Sequence, residues 1–349
     1  MQAAYYVHSG LLEIREVPEP TIETSDDIVV EVEVAGLCGT DLHIVSVPQL
    51  HPAKDGIVLG HEFVGRVVAA GGAVRQFRAG DRIVAGPNIP CGQCRACRKG
   101  RRNLCGHNVT LGITMNGGFA RFARVPVQCA YPVPEAMEPE LAIFAEPLSC
   151  VLNGFSMTSG RHGKTVVLGA GAIGLYFLRV FRHFGALELF ASEPVDARRE
   201  AARKSGATCV FDPTTQNVVA EVLERTRGGA DLVVDTTGSL VSDALAMLDR
   251  GGMALMFGLD KTVNASISTF DIVRHEKRVV GCFANNDLIP AALDLIPSLG
   301  MRDLITHRFP LDAIEGALSA VREGTSVKAL LDLRTAPPER PRPQSPSVE

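Results

Sequence analysis

The stretch "KTVVLGAGAIG", residues 164–174, constrains the fold more than any other part of the chain. It runs a short β-branched strand into glycines at 169, 171 and 174, the GxGxxG spacing. The continuation "AIGLYFLRVFRHFG" sets Ile173, Phe177, Val180, Phe181 and Phe184 at helical spacing. A strand, a glycine turn and a helix in that order are the context in which a GxGxxG acquires meaning. Gly169 makes the tight turn, Gly171 lets the backbone approach a pyrophosphate, and Gly174 lets the helix lie close on the sheet. Ala172 and Ile173 open the helix, where free N–H groups and the positive dipole end meet phosphate. Five more apolar segments follow: "LELFAS", "ATCVF", "ADLVVD", "MALMFG" and "RVVGCF". Strands alternating with amphipathic helices predict a doubly wound, six-stranded parallel sheet.

That sheet occupies less than half of 349 residues, and a chain of this length calls for a second domain. The first 145 or so residues are β-rich. Apolar and acidic residues alternate from Ile28 to Ala35, and "GHEFVGRVVAAGGAVRQFRAGDRIVAG" follows the same rhythm between glycine turns. We divide the chain into residues 1–148 and 285–334 as one β-rich domain and 149–284 as the dinucleotide domain. "LIPAALDLIPSLG" is then a helical segment and "SVKALLDL" a strand returning to the first domain. Residues 335–349, with five prolines, are expected to form a disordered tail.

A formal charge of -4 gives no reason to expect nucleic acid or an anionic membrane surface as a partner. No apolar run is long enough to span a bilayer, and the N-terminal stretch lacks the pattern of a signal peptide. The expected compartment is the cytoplasm, where thiols stay reduced. The nine cysteines are therefore read as metal, redox or core residues before disulfides.

Glu193 ends the second strand of the series, nineteen residues beyond Gly174. A carboxylate there accepts the adenosine ribose hydroxyls and repels a 2′-phosphate, which favours NAD over NADP. Arg198 and Arg199 follow and soften that preference. In "CGQCRACRKGRRNLC", Cys91, Cys94, Cys97 and Cys105 place four thiols within fifteen residues, a set able to close tetrahedrally around structural zinc. Such a closed lobe leaves no position for substrate. Cys38, His61 and Glu62, from separate segments, are ligand types that suit an open catalytic zinc site, with Asp41 orienting His61. His51 and Lys54 in the connecting loop, and Asn285 and Asn286 after the last strand, are further candidates for the cleft. Cys129, Cys150, Cys209 and Cys282 are read as core cysteines.

Taken together, "CGTDLH" at 38–43, "GHE" at 60–62, the four-cysteine lobe, "EPLSC" at 146–150 and "GAGAIG" at 169–174 resemble the zinc-containing medium-chain dehydrogenases/reductases. This is the alcohol and polyol dehydrogenase superfamily, and "EPLS" is similar to its sorbitol and threonine dehydrogenase branch. The resemblance implies a GroES-like catalytic domain beside a Rossmann domain, two zinc ions per chain and a nicotinamide cofactor. It implies Cys38, His61, Glu62 and Glu146 around the catalytic zinc, Thr40 at the substrate oxygen and His43 at the outer end of a proton relay. It also implies Lys328 at the cofactor pyrophosphate. The reaction implied is hydride transfer between NAD and a secondary alcohol of a polyol, sugar or cyclitol, in a homo-oligomer, dimeric or tetrameric. A dedicated aminosugar or aminocyclitol dehydrogenase, a threonine-type enzyme, or a non-catalytic sensor of NAD(H) or zinc are the alternatives. "GGFARFARVP" departs from the family pattern at Arg121 and Phe122.

Overall fold

The computed structural model describes residues 1–160 and 163–334; the expected tail, 335–349, lies outside the described residues. The β-rich part is organised on β1 (Asp27–Gly36), followed by helix α1 (Gly39–Val45), β2 (Glu62–Ala70), β3 (Arg82–Ala85), β4 (Phe122–Pro126) and β5 (Ala130–Pro132). β1 is nearly all valine, alanine and isoleucine on its inner face and runs antiparallel to both β2 and β4. Where β2 crosses it, a Cβ on Gly65 would strike the Glu31 carbonyl oxygen. Only glycine lets the two backbones approach this closely.

Helix α2 (Ala145–Met157) leads into β6 (Lys164–Leu168), α3 (Ala172–His183), β7 (Glu188–Ser192), β8 (Cys209–Phe211), β9 (Ala230–Asp235), β10 (Leu248–Met256), α4 (Thr269–His275) and β11 (Arg278–Gly281). These six strands form one parallel sheet in the order β8-β7-β6-β9-β10-β11. The order reverses beside β6, so the crevice at its C-terminal end, where the glycine turn lies, is the position a ligand takes in such sheets. The chain then passes through α5 (Ile289–Leu295) and β12 (Ile305–Pro310) to β13 (Lys328–Asp332). β13 lies parallel to β12 and antiparallel to β1, with Leu330 opposite Gly36. The C-terminal segment thus returns to the first sheet.

Two details differ from the periodicity reading. Phe184, expected on the buried face of α3, lies just past the helix and is 44% exposed, stacked on Phe155 at 4.7 Å. The helix is also not one-sided: Gly174 to Phe181 are all buried, because α2 covers the side turned away from the sheet. The resulting core runs from Val34 of β1 and Leu330 of β13 through α2, α3 and α5. The two domains therefore share one hydrophobic cluster. Truncating Phe177, fully buried within it, to alanine costs roughly 3–5 kcal/mol.

Candidate active site

β1 ends at Gly36, and the chain turns into α1 with Cys38 as its N-cap. The Asp41 carboxylate accepts the Cys38 backbone N–H at 2.9 Å, which fixes the cysteine at the helix entrance. Antiparallel pairing sets Glu62 directly opposite Gly36, so the start of β2 arrives beside the end of β1. The Cys38 thiol, a His61 ring nitrogen and a Glu62 carboxylate oxygen consequently all lie within 4.8 Å of one another. His61 and Glu62 are buried, at 6% and 1% exposure. His61 Nδ1 is 3.4 Å from Asp41 Oδ1, yet both atoms are buried without a completed hydrogen bond. A thiol, an imidazole and a carboxylate converging around orphaned polar atoms fit a zinc ion, with Asp41 behind the histidine.

Protonation follows from this crowding. Burial favours a neutral His61 ring, but the Asp41 carboxylate overrides it and holds the histidine well above its usual range. Glu146, in the first turn of α2 and 7% exposed, is pushed up to about 7 by burial and then by the charge of Glu62. Its carboxylate is not among the three converging ligand atoms; Oε1 lies 3.8 Å from the Cys150 thiol. Thr40 Oγ1 is 3.8 Å from the Cys38 sulfur, and His43 is half-buried one turn further along α1. His51 is half-buried too, and burial and the neighbouring His61 and His43 hold it below its usual range.

Lys328, which the resemblance places at the pyrophosphate, bonds Glu62 Oε2 through its Nζ and lies 3.4 Å from the Leu37 carbonyl oxygen, in a buried position. β13 runs beside β1, and its first residue therefore faces the end of β1. A Cβ on Gly36 would meet both the lysine and the glutamate.

On the cofactor side the three glycines differ in the way the motif requires. Gly169 has φ +88°, and a Cβ there would meet Thr236 and Thr237. A Cβ on Gly174 would collide with the Gly169 carbonyl oxygen, whereas one on Gly171 would enter open space. That open space at the N-terminus of α3 leaves room for a diphosphate. Glu193 is 3% exposed and accepts the N–H groups of Ala170 at 2.8 Å and Val195 at 3.1 Å, which ties the second strand to the turn. The Arg198 guanidinium lies over the backbone of Gly324. Arg199 folds back instead, onto the carbonyls of Glu193 and Pro194 at 2.9 and 2.7 Å.

The other cluster holds Cys91, Cys94, Cys97 and Cys105 with their ligand atoms also within 4.8 Å. All are free thiols, and the sulfurs of Cys94–Cys97 and Cys91–Cys105 stand 3.5 Å apart, far beyond a disulfide bond. The Cys97 backbone N–H draws Cys94 down to about 6, while desolvation and the neighbouring sulfurs push Cys97 up to about 12. Four sulfurs this close suit a dication in their midst. Asn286 belongs to this lobe and not to a substrate pocket: it accepts the Arg102 N–H and donates to the Gly100 carbonyl, each at 3.1 Å. Asn285 is buried and accepts the Leu288 N–H, and Lys54 is exposed. Arg121 is exposed and paired with Glu31 at 3.0 Å. Cys129 and Cys282 are buried as expected, while Cys150 and Cys209 are only partly so.

The sequence reading missed two contacts. Cys150 follows Glu146 by four residues on one helix, a spacing that could have revealed their contact. The pairing of Lys328 with Glu62 had no local signal. A cavity of about 610 Å³ lined by Met1, Arg15 and Arg124 among others includes none of the site residues. Its arginines already pair with Glu13, Glu23 and Asp27, so we place no chemistry there.

Residues 24–135 match the alcohol dehydrogenase GroES-like domain, and residues 172–298 match the zinc-binding dehydrogenase family. D-altritol 5-dehydrogenase of Agrobacterium fabrum is 33% identical over 89% of this chain and 93% of its own length. L-threonine 3-dehydrogenase of Saccharopolyspora erythraea is 32% identical over 92% and 95%. The crystal structure of a zinc-binding dehydrogenase from Sinorhizobium meliloti bound to NADP superposes with a TM-score of 0.90 at 34% identity, covering 95% of this chain and 98% of that one.

Proposed function

Because the chain belongs to the zinc-containing medium-chain dehydrogenases/reductases and is a zinc-dependent alcohol oxidoreductase, we propose that it oxidises a secondary hydroxyl of a polyol, sugar or cyclitol with NAD. The observation that carries this is the carboxylate-rich cluster: Cys38 and His61 with Glu62 among the ligand atoms and Glu146 buried nearby. Two carboxylates make the metal's surroundings harder and more anionic, which suits hydroxyl-rich substrates. Bound zinc supplies Lewis acidity that lowers the pKa of an alcohol oxygen, and nicotinamide supplies the hydride acceptor. The chain's own part is to orient and to move a proton. Thr40, beside Cys38, takes the hydroxyl proton as it gives up its own. His43, on the same face of α1, stands at the outer end of that relay and passes a proton to solvent. Its backbone is held for this role, because the carbonyl of His43 accepts the N–H groups of Leu50 and His51.

The Glu193 carboxylate beside the glycine turn favours NAD, since it repels a 2′-phosphate. The two cysteine-containing clusters support two zinc ions per chain, and the separate parallel sheet supports a division at 148/149 and 284/285. Reduced, closely set thiols fit a cytoplasmic setting, and among the described residues no helix is long and apolar enough to cross a membrane. A homo-oligomer is supported by β11, an edge strand, beside α4 with Phe270 and Val273 exposed at 74% and 77%.

NADH formation at 340 nm tests the proposal, with the zinc-loaded protein offered polyols, sugars, cyclitols, aminocyclitols and L-threonine. NAD-linked turnover on polyols, sugars or cyclitols, abolished by Cys38→Ser, is the expected result. Turnover on L-threonine alone or on aminocyclitols alone overturns the substrate class, and turnover with NADP alone overturns the role given to Glu193.

A further inference from the structure

Asn153 stands on α2 and is buried, yet its side chain is an amide. Burying an amide costs free energy unless its N–H groups find acceptors, and a leucine would fill the place without that cost. Its Nδ2 finds them in one segment. It donates to the Ala284 carbonyl at 2.8 Å and lies 3.4 Å from the Phe283 carbonyl oxygen and 3.5 Å from the Cys282 sulfur. These residues follow β11, where the chain crosses from the parallel sheet to the other domain. The crossover is not relaxed: Ala284 has φ +49° and Asp287 +59°, a region that residues with a Cβ enter at a cost. The Phe283 carbonyl also accepts Asn103 Nδ2, from the four-cysteine lobe, at 2.7 Å. Arg102 of the lobe adds an ion pair to Asp287 at 3.3 Å.

The crossover lies where a ligand would feel it. The Cys282 N–H bonds the Met256 carbonyl and Gly281 pairs with Met256, so residues 282–284 lie past the C-terminal ends of β10 and β11. That is the edge at which sheets of this order receive ligand, one half of the sheet for each nucleotide of a dinucleotide. Glu193, just past β7, belongs to the adenosine half, which leaves β9, β10 and β11 for the other nucleotide. Glu146, Cys150 and Asn153 follow one another on α2 at i, i+4 and i+7, so the face that bears Glu146 also holds the crossover.

We propose that Asn153 is a positioning residue for the nicotinamide half of the cofactor: its amide holds Ala284 in the left-handed bend and so keeps residues 282–284 at the ligand edge of the sheet. This inference rests on the NAD-linked reading above. Without the amide, α2 offers the bend no donor, and Ala284 relaxes towards the backbone region that a residue with a Cβ prefers. The adenosine half is built on the glycine turn and Glu193 and keeps its shape.

The test is Asn153→Leu, which keeps the size and removes the donors, with Asn153→Asp as a second variant should the leucine not fold. In the zinc-loaded protein, NADH binding is followed by fluorescence and compared with calorimetric binding of ADP-ribose, which lacks nicotinamide. We expect NADH to bind about tenfold more weakly, as the loss of one buried hydrogen bond implies, and the KM for NAD to rise with it. ADP-ribose should bind as it does to the parent protein. Adding Ala284→Gly removes the Cβ that opposes the bend and should recover most of the lost affinity. NADH affinity at the parent value overturns the inference, as does an equal loss for NADH and ADP-ribose, the result of a merely structural asparagine. No recovery with Ala284→Gly overturns it too. All three results leave the NAD-linked reading intact if the parent protein binds NADH and turns over with NAD. A parent protein that binds neither ligand removes that reading, and this inference with it.

Discussion

The two candidate zinc clusters are built in opposite ways. Cys91, Cys94, Cys97 and Cys105 come from one loop, sit at the surface with only Cys105 buried, and offer four equal sulfurs. Cys38, His61 and Glu62 come from two strands' ends, offer three different atoms, and are backed by Asp41 and Lys328. A closed ring of thiolates holds a lobe together and leaves no position free. A mixed, buried set held by neighbours keeps geometry without filling the coordination sphere, and this is what chemistry requires. The difference teaches that ligand identity alone does not separate structural from catalytic sites; the supporting shell does.

The contrast can be broken most directly at the ligands. Cys38→Ser should lower kcat by roughly 10³-fold, several kcal/mol of lost polarisation, while the melting temperature and the second zinc are retained. Metal analysis and steady-state rates check this, and loss of both metals would erase the distinction. Asp41→Asn should weaken zinc binding at the His61 site about 10–100-fold with no effect on the lobe, read from competition with a chelator. Cys97→Ser should do the reverse. It should lower the melting temperature by on the order of 5–10 °C and leave the rate of the surviving folded enzyme near normal.

The smallest effect is on pH dependence. In the zinc-free protein His61 and Glu146 both have raised folded pKa values. The folded state then binds more protons than the unfolded state, so stability is greatest below the unfolded pKa values and falls as pH rises through neutrality. Zinc takes the place of those protons, and the loaded protein should show a flatter curve. Thermal melts from pH 5 to 8 with and without zinc read this. A zinc-free protein that gains stability across that range would contradict the assigned protonation.

How much of this was legible before folding depends on distance along the chain. The six strands of the parallel sheet and the three glycine roles could be read because each depends on residues within one strand–turn–helix unit. The partial exposure of Phe184 and the all-round burial of α3 could not, since both depend on how far α2 reaches over the helix. The neighbours of Arg198 and Lys328 could not be read for the same reason. A side chain long enough to reach several neighbours takes the one that the packing brings near, here Gly324 and Glu62.

The sequence by itself determined the dinucleotide unit and the four-cysteine lobe, because their geometry closes over fifteen residues or fewer and spacing alone dictates it. Only the tertiary structure decided the rest of the site. Cys38 meets Glu62 because β1 and β2 pair antiparallel with Gly36 opposite Glu62, and Lys328 joins them because β13 returns beside β1. Strand register and helix packing are set by the whole buried surface, so no local run of residues can encode which of these side chains will meet.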